Sequence, residues 1–403
     1  MRVALLSMME QAGASDGARR AFLRVGRAAI GRHQLGLVLA LGCERVICLA
    51  RSLDPELVAL QHAAEQAGAK FHVVNGSRGL MGLISTADEV IALADGLLPV
   101  PEEAVALVEA GPGIAVQPAG AGIPAGFERI DAAMAAAGLM RVPGRLVERL
   151  AELPADFDTY SALQRIALQA GVPQRPLPAG LVEAGRWTLV RDEAQAHAIE
   201  GGWIRQLAAS PDDTAPTAVL AGLLVRGVGP ALLHAGTSEN ALVGAAGLLL
   251  LLTLGSAWLG HGALALGFCA LAVLVRRIGG LLARVERASL SLPASRFPRE
   301  AIFGWIVDAV IAVALCWSMW RFPGDPAWPR LFPALALLGF ARIVPRLMDK
   351  RPAGWLADRA ALALLLAVAA IGGVLTHAVQ AFALGLAATG IVWPIGAARL
   401  TRA

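Results

Sequence analysis

The stretch Ala241-Leu-Val-Gly-Ala-Ala-Gly-Leu-Leu-Leu-Leu-Leu-Thr-Leu-Gly-Ser-Ala-Trp-Leu-Gly260 contains no charged residue. Coiled as a helix, a run of this length is about as long as the hydrocarbon core of a bilayer is thick. Five more apolar stretches follow, at 262–275, 302–320, 328–345, 359–376 and 378–397. The second and fourth of the six are short. Both run into arginines, whose charged tips reach the interface while their stems stay in lipid. Almost nothing comparable precedes residue 241. Read outward from this stretch, the chain is a soluble first half joined to an all-α membrane domain of six transmembrane helices.

Composition agrees with that division. A hydrophobic content of 56% over 403 residues exceeds that of an ordinary soluble protein, and the mean hydropathy is +0.60. The formal net charge of +4 gives no basis for a nucleic-acid partner; the partners implied are membrane lipids. Cys43, Cys48, Cys269 and Cys316 form no CxxC pair, so neither a zinc site nor a disulfide framework is indicated. Met1–Met8 carries no cleavable leader pattern, which predicts that the first half stays in the cytoplasm.

The arginines set the orientation. Arg276, Arg277, Arg284, Arg287, Arg296 and Arg299 follow the second span. Arg342, Arg346, Lys350, Arg351 and Arg359 follow the fourth, and Arg399 and Arg402 end the chain. These loops fall on the side of the soluble half. The expected location is the inner membrane, with both termini cytoplasmic. Pro211–Pro216 reads as a linker, and Thr217–Ala235 as an amphipathic helix on the membrane surface. The expected domains are 1–208, 209–237 for linker and surface helix, and 238–403. No polar series lines the spans and no inverted repeat is evident, which argues against a transporter.

In the first half, Val3–Leu6, Arg45–Ala50, Phe71–Asn75, Glu89–Leu93 and Gly113–Gln117 read as strands. Helical patterns lie between them, at Gly31–Gly42 and Asp54–Ala67. This βαβα order predicts a mostly parallel, Rossmann-like α/β sheet, with ligands at the carboxyl ends of its strands. The loop Ser7–Gly17 leads to Arg19 and Arg20. It is either a phosphate-binding loop or a plain surface loop.

Val25-Gly26, His33-Gln34-Leu35 and Gly42-Cys-Glu-Arg-Val-Ile47 resemble the opening of the sugar-phosphate nucleotidyltransferases, over about residues 1–200. The resemblance implies a nucleotide substrate and Mg²⁺. It places Arg19 and Arg20 near the family's phosphate-binding Pro-Lys pair, and Asp95 at its first metal position. On residues alone, Asp95 is a metal ligand or a turn residue before Gly96. The family's second metal segment matches Trp187-Thr-Leu-Val-Arg-Asp-Glu-Ala194, where the ligand positions read Leu189 and Arg191.

The second half resembles the CDP-alcohol phosphotransferases, some of which carry a cytidylyltransferase domain in front. Their signature, D-G-x2-A-R-x8-G-x3-D-x3-D, binds two metal ions that clamp a displacement at phosphorus. In Arg277-Ile-Gly-Gly-Leu-Leu-Ala-Arg284, the positions of G, A and R hold Gly280, Ala283 and Arg284. Gly304 and Asp308 supply G-x3-D. The first and last aspartates read Gly279 and Ala312, and a further acidic position reads Arg276. The resemblance implies a CDP-alcohol substrate, a homodimer through the spans, and Asp308 as catalytic and metal-binding residue. The lost carboxylates leave a second reading open: an inactive scaffold or anionic-lipid binder. Asp308 in an apolar span demands a partner, and Arg284 or Arg277 is expected to provide it.

Overall fold

The structure is a computed structural model that describes residues 1–13, 18–26, 28–153, 157–208, 214–234, 239–290, 299–319, 328–348 and 350–400. The chain forms two compact units. One is Met1–Leu207 with Val285–Ala294, the other Ala208–Arg284 with Ser295–Ala403.

The first unit is built on β1 (Arg2–Ser7), β2 (Arg45–Leu49), β3 (Lys70–Val74) and β4 (Glu89–Leu93). These pair in parallel in the order β4-β1-β2-β3. Their apolar runs suit strands covered on both faces. Alternate residues of β1 divide between the faces. Ala4 and Leu6 pack with Leu35, Val38, Leu57 and Leu60 of the helices α1 (Ile30–Ala40) and α2 (Pro55–Gln66). Val3 and Leu5 pack with Leu163 and Ile166 on the other side.

The sheet has seven strands. Three of them are β5 (Gly113–Pro118), β6 (Met134–Pro143) and β7 (Gln174–Pro176). β6 runs antiparallel to both β4 and β5, and sequence reading did not assign it. Its Ala135-Ala-Ala-Gly138 core has little strand preference of its own. It becomes a strand because the edges of β4 and β5 both need a hydrogen-bonding partner.

The second unit is helical: α3 (Pro216–His234), α4 (Glu239–Trp258), α5 (Gly262–Ser289), α6 (Arg299–Ser318), α7 (Trp328–Ile343), α8 (Arg359–Ile371) and α9 (Leu375–Leu400). Inward, Leu266, Cys269, Ile311, Leu315, Leu337 and Leu366 make a dry core. Outward, Leu251 is 66% exposed and Leu384 72%. A unit that is apolar on both its inside and its outside fits lipid as its solvent.

Among the described residues, four helices are long and apolar enough to cross a membrane: Asn240–Trp258, Gly262–Arg287, Arg299–Ser318 and Leu375–Trp393. The expectation of six spans is corrected. All six stretches are helical, but α7 has 16 residues and α8 has 13. At about 1.5 Å per residue neither reaches about 30 Å. α7 ends at Ile343, where Val344–Leu347 tightens into a 3₁₀ turn with Pro345. α8 starts after Asp358 and stops at Gly372, and Gly373 takes a positive φ of 73°. Hydropathy read through these breaks; backbone geometry does not. The helix expected near 217–235 is present as α3. It buries Ala218, Ala221 and Val225, while the outward Val219 and Leu223 are also apolar. Pro211–Asp213 of the expected linker lies outside the described residues.

Candidate functional site

In the first unit the chain turns at Asp95-Gly96, between β4 and the short strand Leu97–Pro99. The turn is fastened from several sides. Ala94 N–H donates to Gly138 O at 2.8 Å. The Gln34 amide donates to the carbonyls of Ala94 and Leu97, both at 2.9 Å. Gly96 has a φ of 74°, and a Cβ there would meet Val190 O at 2.4 Å. Only glycine fits that place.

Asp95 is 5% exposed. Its Oδ2 accepts from Glu10 N–H at 2.7 Å, and its Oδ1 is buried with no hydrogen bond. Burial above all, with the Glu10 charge adding to it, pushes the carboxyl up to about 7, against the pull of the Glu10 and Met9 amides and of Arg20. Arg20 pairs with Glu10. Arg19 pairs with Asp54 at 3.1 Å and donates to Ser52. Both loop arginines are thus engaged by groups of the protein itself. Residues 14–17 of the expected phosphate loop lie outside the described residues. Asp192, beside the second metal segment, accepts from Gln195 N–H at 2.8 Å as a helix cap.

In the second unit a cavity of about 360 Å³ opens between helices. α5 lines it with Arg276, Arg277 and Arg284; α6 adds Glu300, Phe303 and Gly304; Arg359 comes from the start of α8. Arg277 and Arg284 are seven residues apart, so two helical turns bring them to one face. Arg276 is buried, its guanidinium 5.9 Å from the centre of the Phe303 ring. Val273, Leu281, Val307 and Ala218 make the rest of the wall apolar. A Cβ at Gly280 would sit 3.2 Å from Glu300 Oε1, so the glycine leaves room for that carboxylate. Ala283 is buried but is not part of the cavity wall.

Asp308 lies behind this wall, 7% exposed. The expected pairing with Arg284 or Arg277 is corrected. Asp308 Oδ1 accepts from Arg359 Nε at 2.6 Å. Its Oδ2 accepts from Arg342 Nη2 at 2.7 Å and Nε at 3.0 Å. Asp308 turns toward α7 and α8, whose arginines stand at helix ends within reach of it. Arg342 also lies over the Trp305 ring at 3.5 Å. Arg359 Nη1 donates to Ala341 O at 3.1 Å and Ala357 O at 3.3 Å, so the guanidinium is held on three sides.

Sequence reading counted Arg342 and Arg359 only as orientation charges and passed over Glu300 as a site residue. The signal for the first two was Asp308 itself, a carboxylate in an apolar helix that needs cations beside it. Asp358 was also missed. It caps α8 through Ala360 N–H at 3.1 Å and Ala361 N–H at 3.3 Å, and it accepts from Thr217 N–H at 2.7 Å and from the Thr217 hydroxyl. An aspartate just before an apolar helix is a legible cap signal.

Neither carboxylate proposed for Mg²⁺ sits in a suitable donor set. Among the described residues, no three His, Cys, Asp or Glu side chains gather. Both oxygens of Asp308 face guanidinium groups. Asp95 is half-protonated near pH 7. A hard cation needs several oxygens, most of them charged or strongly polar.

No protein-family model matches the sequence, and no curated protein matches it. Solved structures that resemble it include a UDP-glucose pyrophosphorylase complexed with UDP-glucose, at 9% identity and TM-score 0.38, over 51% of this chain and 99% of that one. The UDP-glucose pyrophosphorylase from Acinetobacter baumannii matches at 10% identity and TM-score 0.38, over 51% and 94%. The inositol-1-phosphate CTP transferase from T. maritima matches at 14% identity and TM-score 0.35, over 48% and 91%. By their names these neighbours are nucleotidyltransferases; what this chain does is read from its own residues.

Proposed function

We propose that this is a membrane protein whose helical unit holds a phosphate-bearing ligand of the lipid-headgroup class in the arginine-walled cavity, without a metal ion. The observation that carries this reading is the state of Asp308. Arg342 and Arg359 occupy its two oxygens, while Arg276, Arg277 and Arg284 line the cavity in front. Guanidinium groups suit phosphate oxygens through paired, charge-assisted hydrogen bonds. A lining rich in guanidinium groups suits an anion better than Mg²⁺.

The orientation charges support a cavity at the cytoplasmic face of the inner membrane. We read the first unit as a nucleotidyltransferase-like domain. Its engaged loop arginines and the raised pKa of Asp95 favour a binding role over metal-dependent nucleotidyl transfer. The second reading is a residual CDP-alcohol phosphotransferase. It is favoured by Arg284 and Gly304, which line one cavity and stand at positions that match that family's signature.

One experiment separates the two readings. The protein in nanodiscs is assayed for CDP-alcohol turnover and for phospholipid binding, each with Mg²⁺ and with EDTA. The proposal expects binding that is indifferent to EDTA, no turnover, and about tenfold weaker binding in Arg284→Gln. Turnover that requires Mg²⁺ and disappears in Asp308→Asn establishes the transferase instead.

A further inference from the structure

Arg359 does two things in the structure: it lines the arginine-walled cavity, and it holds Asp308. A guanidinium carries five N–H groups in one plane and no acceptor. Four of those on Arg359 are engaged. Nε donates to Asp308 Oδ1 at 2.6 Å, and Nη2 donates to Oδ2 of the same carboxylate at 3.4 Å. Nη1 donates to Ala341 O at 3.1 Å and to Ala357 O at 3.3 Å. The second N–H of Nη2 remains, with no acceptor among the described residues. Asp308 is itself fixed, because Arg342 clamps its Oδ2 and is packed over the Trp305 ring.

An unrestrained arginine gives up many rotamers when it binds a ligand. One held on three sides has given them up beforehand. The restraint comes from α6 through Asp308 and from the carbonyl of Ala341 on α7. It leaves one edge of the fork for a partner that the protein does not supply.

Resting on the proposed binding role, we propose that Arg359 is a ligand-contacting residue of the cavity, giving one charge-assisted hydrogen bond from Nη2 to a phosphate oxygen. Asp308 is then a positioning residue that acts on the ligand only through Arg359. A phosphate that pulled Arg359 away would leave a buried carboxylate one partner short, which is costly. Taking the remaining N–H breaks no bond. Lysine cannot substitute: its ammonium is a point charge with three donors on one atom, too few for a carboxylate, two carbonyls and a ligand.

The test uses the full-length protein in phosphatidylcholine nanodiscs, in EDTA, titrated with dihexanoyl phosphatidate. Affinity and thermal unfolding are read on the same samples. Arg359→Lys is expected to weaken binding about tenfold. Asp308→Asn is expected to do the same. The double variant stays at about tenfold, where independent sites would reach about a hundredfold. Asp308→Glu keeps the charge and runs the same cycle in case the Asn variant does not fold. Thr217→Val loosens the start of α8 at Asp358 without touching Arg359; it lowers the unfolding temperature and leaves the affinity unchanged. Inorganic phosphate is expected to displace phosphatidate only in large excess; displacement at equal concentration assigns the contact to free phosphate and overturns the lipid source. A multiplied loss in the double variant overturns the inference and leaves the binding role standing. So does tighter binding in Asp308→Asn, the result expected if the ligand competes with Asp308 for Arg359. If the wild-type chain binds no phosphatidate, the role on which this rests fails as well.

Discussion

Asp95 and Asp308 are both nearly buried carboxylates at positions where the sequence resemblances call for a metal ligand, yet the two units neutralise them differently. Around Asp95 the polypeptide supplies the amides of Glu10 and Met9 and no guanidinium hydrogen bond, so burial prevails and the group holds a proton up to about pH 7. Around Asp308 it supplies two guanidinium groups at hydrogen-bonding distance, so the charge is met by charge. A buried carboxylate left without a cation must be protonated or paired. The first solution makes a site that responds to pH. The second makes an ion-paired joint between α6, α7 and α8 that needs no proton.

The comparison can be broken by removing one side of it. Asp308→Ala leaves Arg342 and Arg359 facing each other without their shared anion. We expect it to lower the stability of the helical unit by about 3–5 kcal/mol, measured by denaturant unfolding in detergent. A loss below about 1 kcal/mol would mean that the pair does not hold the helices.

Asp95 sharpens the contrast through pH. Its carboxyl lies near the ordinary value in the unfolded chain and near 7 in the folded one. Between about pH 4 and 7 the folded state therefore holds the extra proton, and stability falls as pH rises through that window. It is flat above about pH 7.5. We expect a loss of about 2–4 kcal/mol in the first unit, read from hydrogen exchange of the β1 and β4 amides. Asp95→Asn should remove the pH dependence and be the more stable form at pH 8.

Gly96→Ala tests whether the turn that buries Asp95 is as tight as its geometry implies. The positive φ and the approach to Val190 O predict a loss of about 1–3 kcal/mol by the same exchange measurement. The smallest effect is expected at Thr217→Val. It removes one of four donors to Asp358 and should cost about 1 kcal/mol in thermal unfolding of the helical unit.

What the sequence revealed and what it hid follow from locality. Runs such as Val3-Ala-Leu-Leu6 declare themselves as buried parallel strands because every residue is apolar. β6 was hidden because Ala135–Gly138 becomes a strand through its neighbours alone. A hydropathy window cannot see that Asp358, Gly372 and Gly373 bound a helix too short to span. The cost of Asp308 in an apolar helix was legible, but not the direction in which its side chain turns. Arg342 and Arg359 were read for orientation, a role that needs only their charge, and their place against Asp308 depends on how three helices pack.

The most direct test of the account titrates phosphatidate-doped vesicles into the full-length protein, once in EDTA and once in millimolar Mg²⁺. Arginines standing in place of metal ions predict the same affinity in both. Binding that appears only when Mg²⁺ is present would contradict the account.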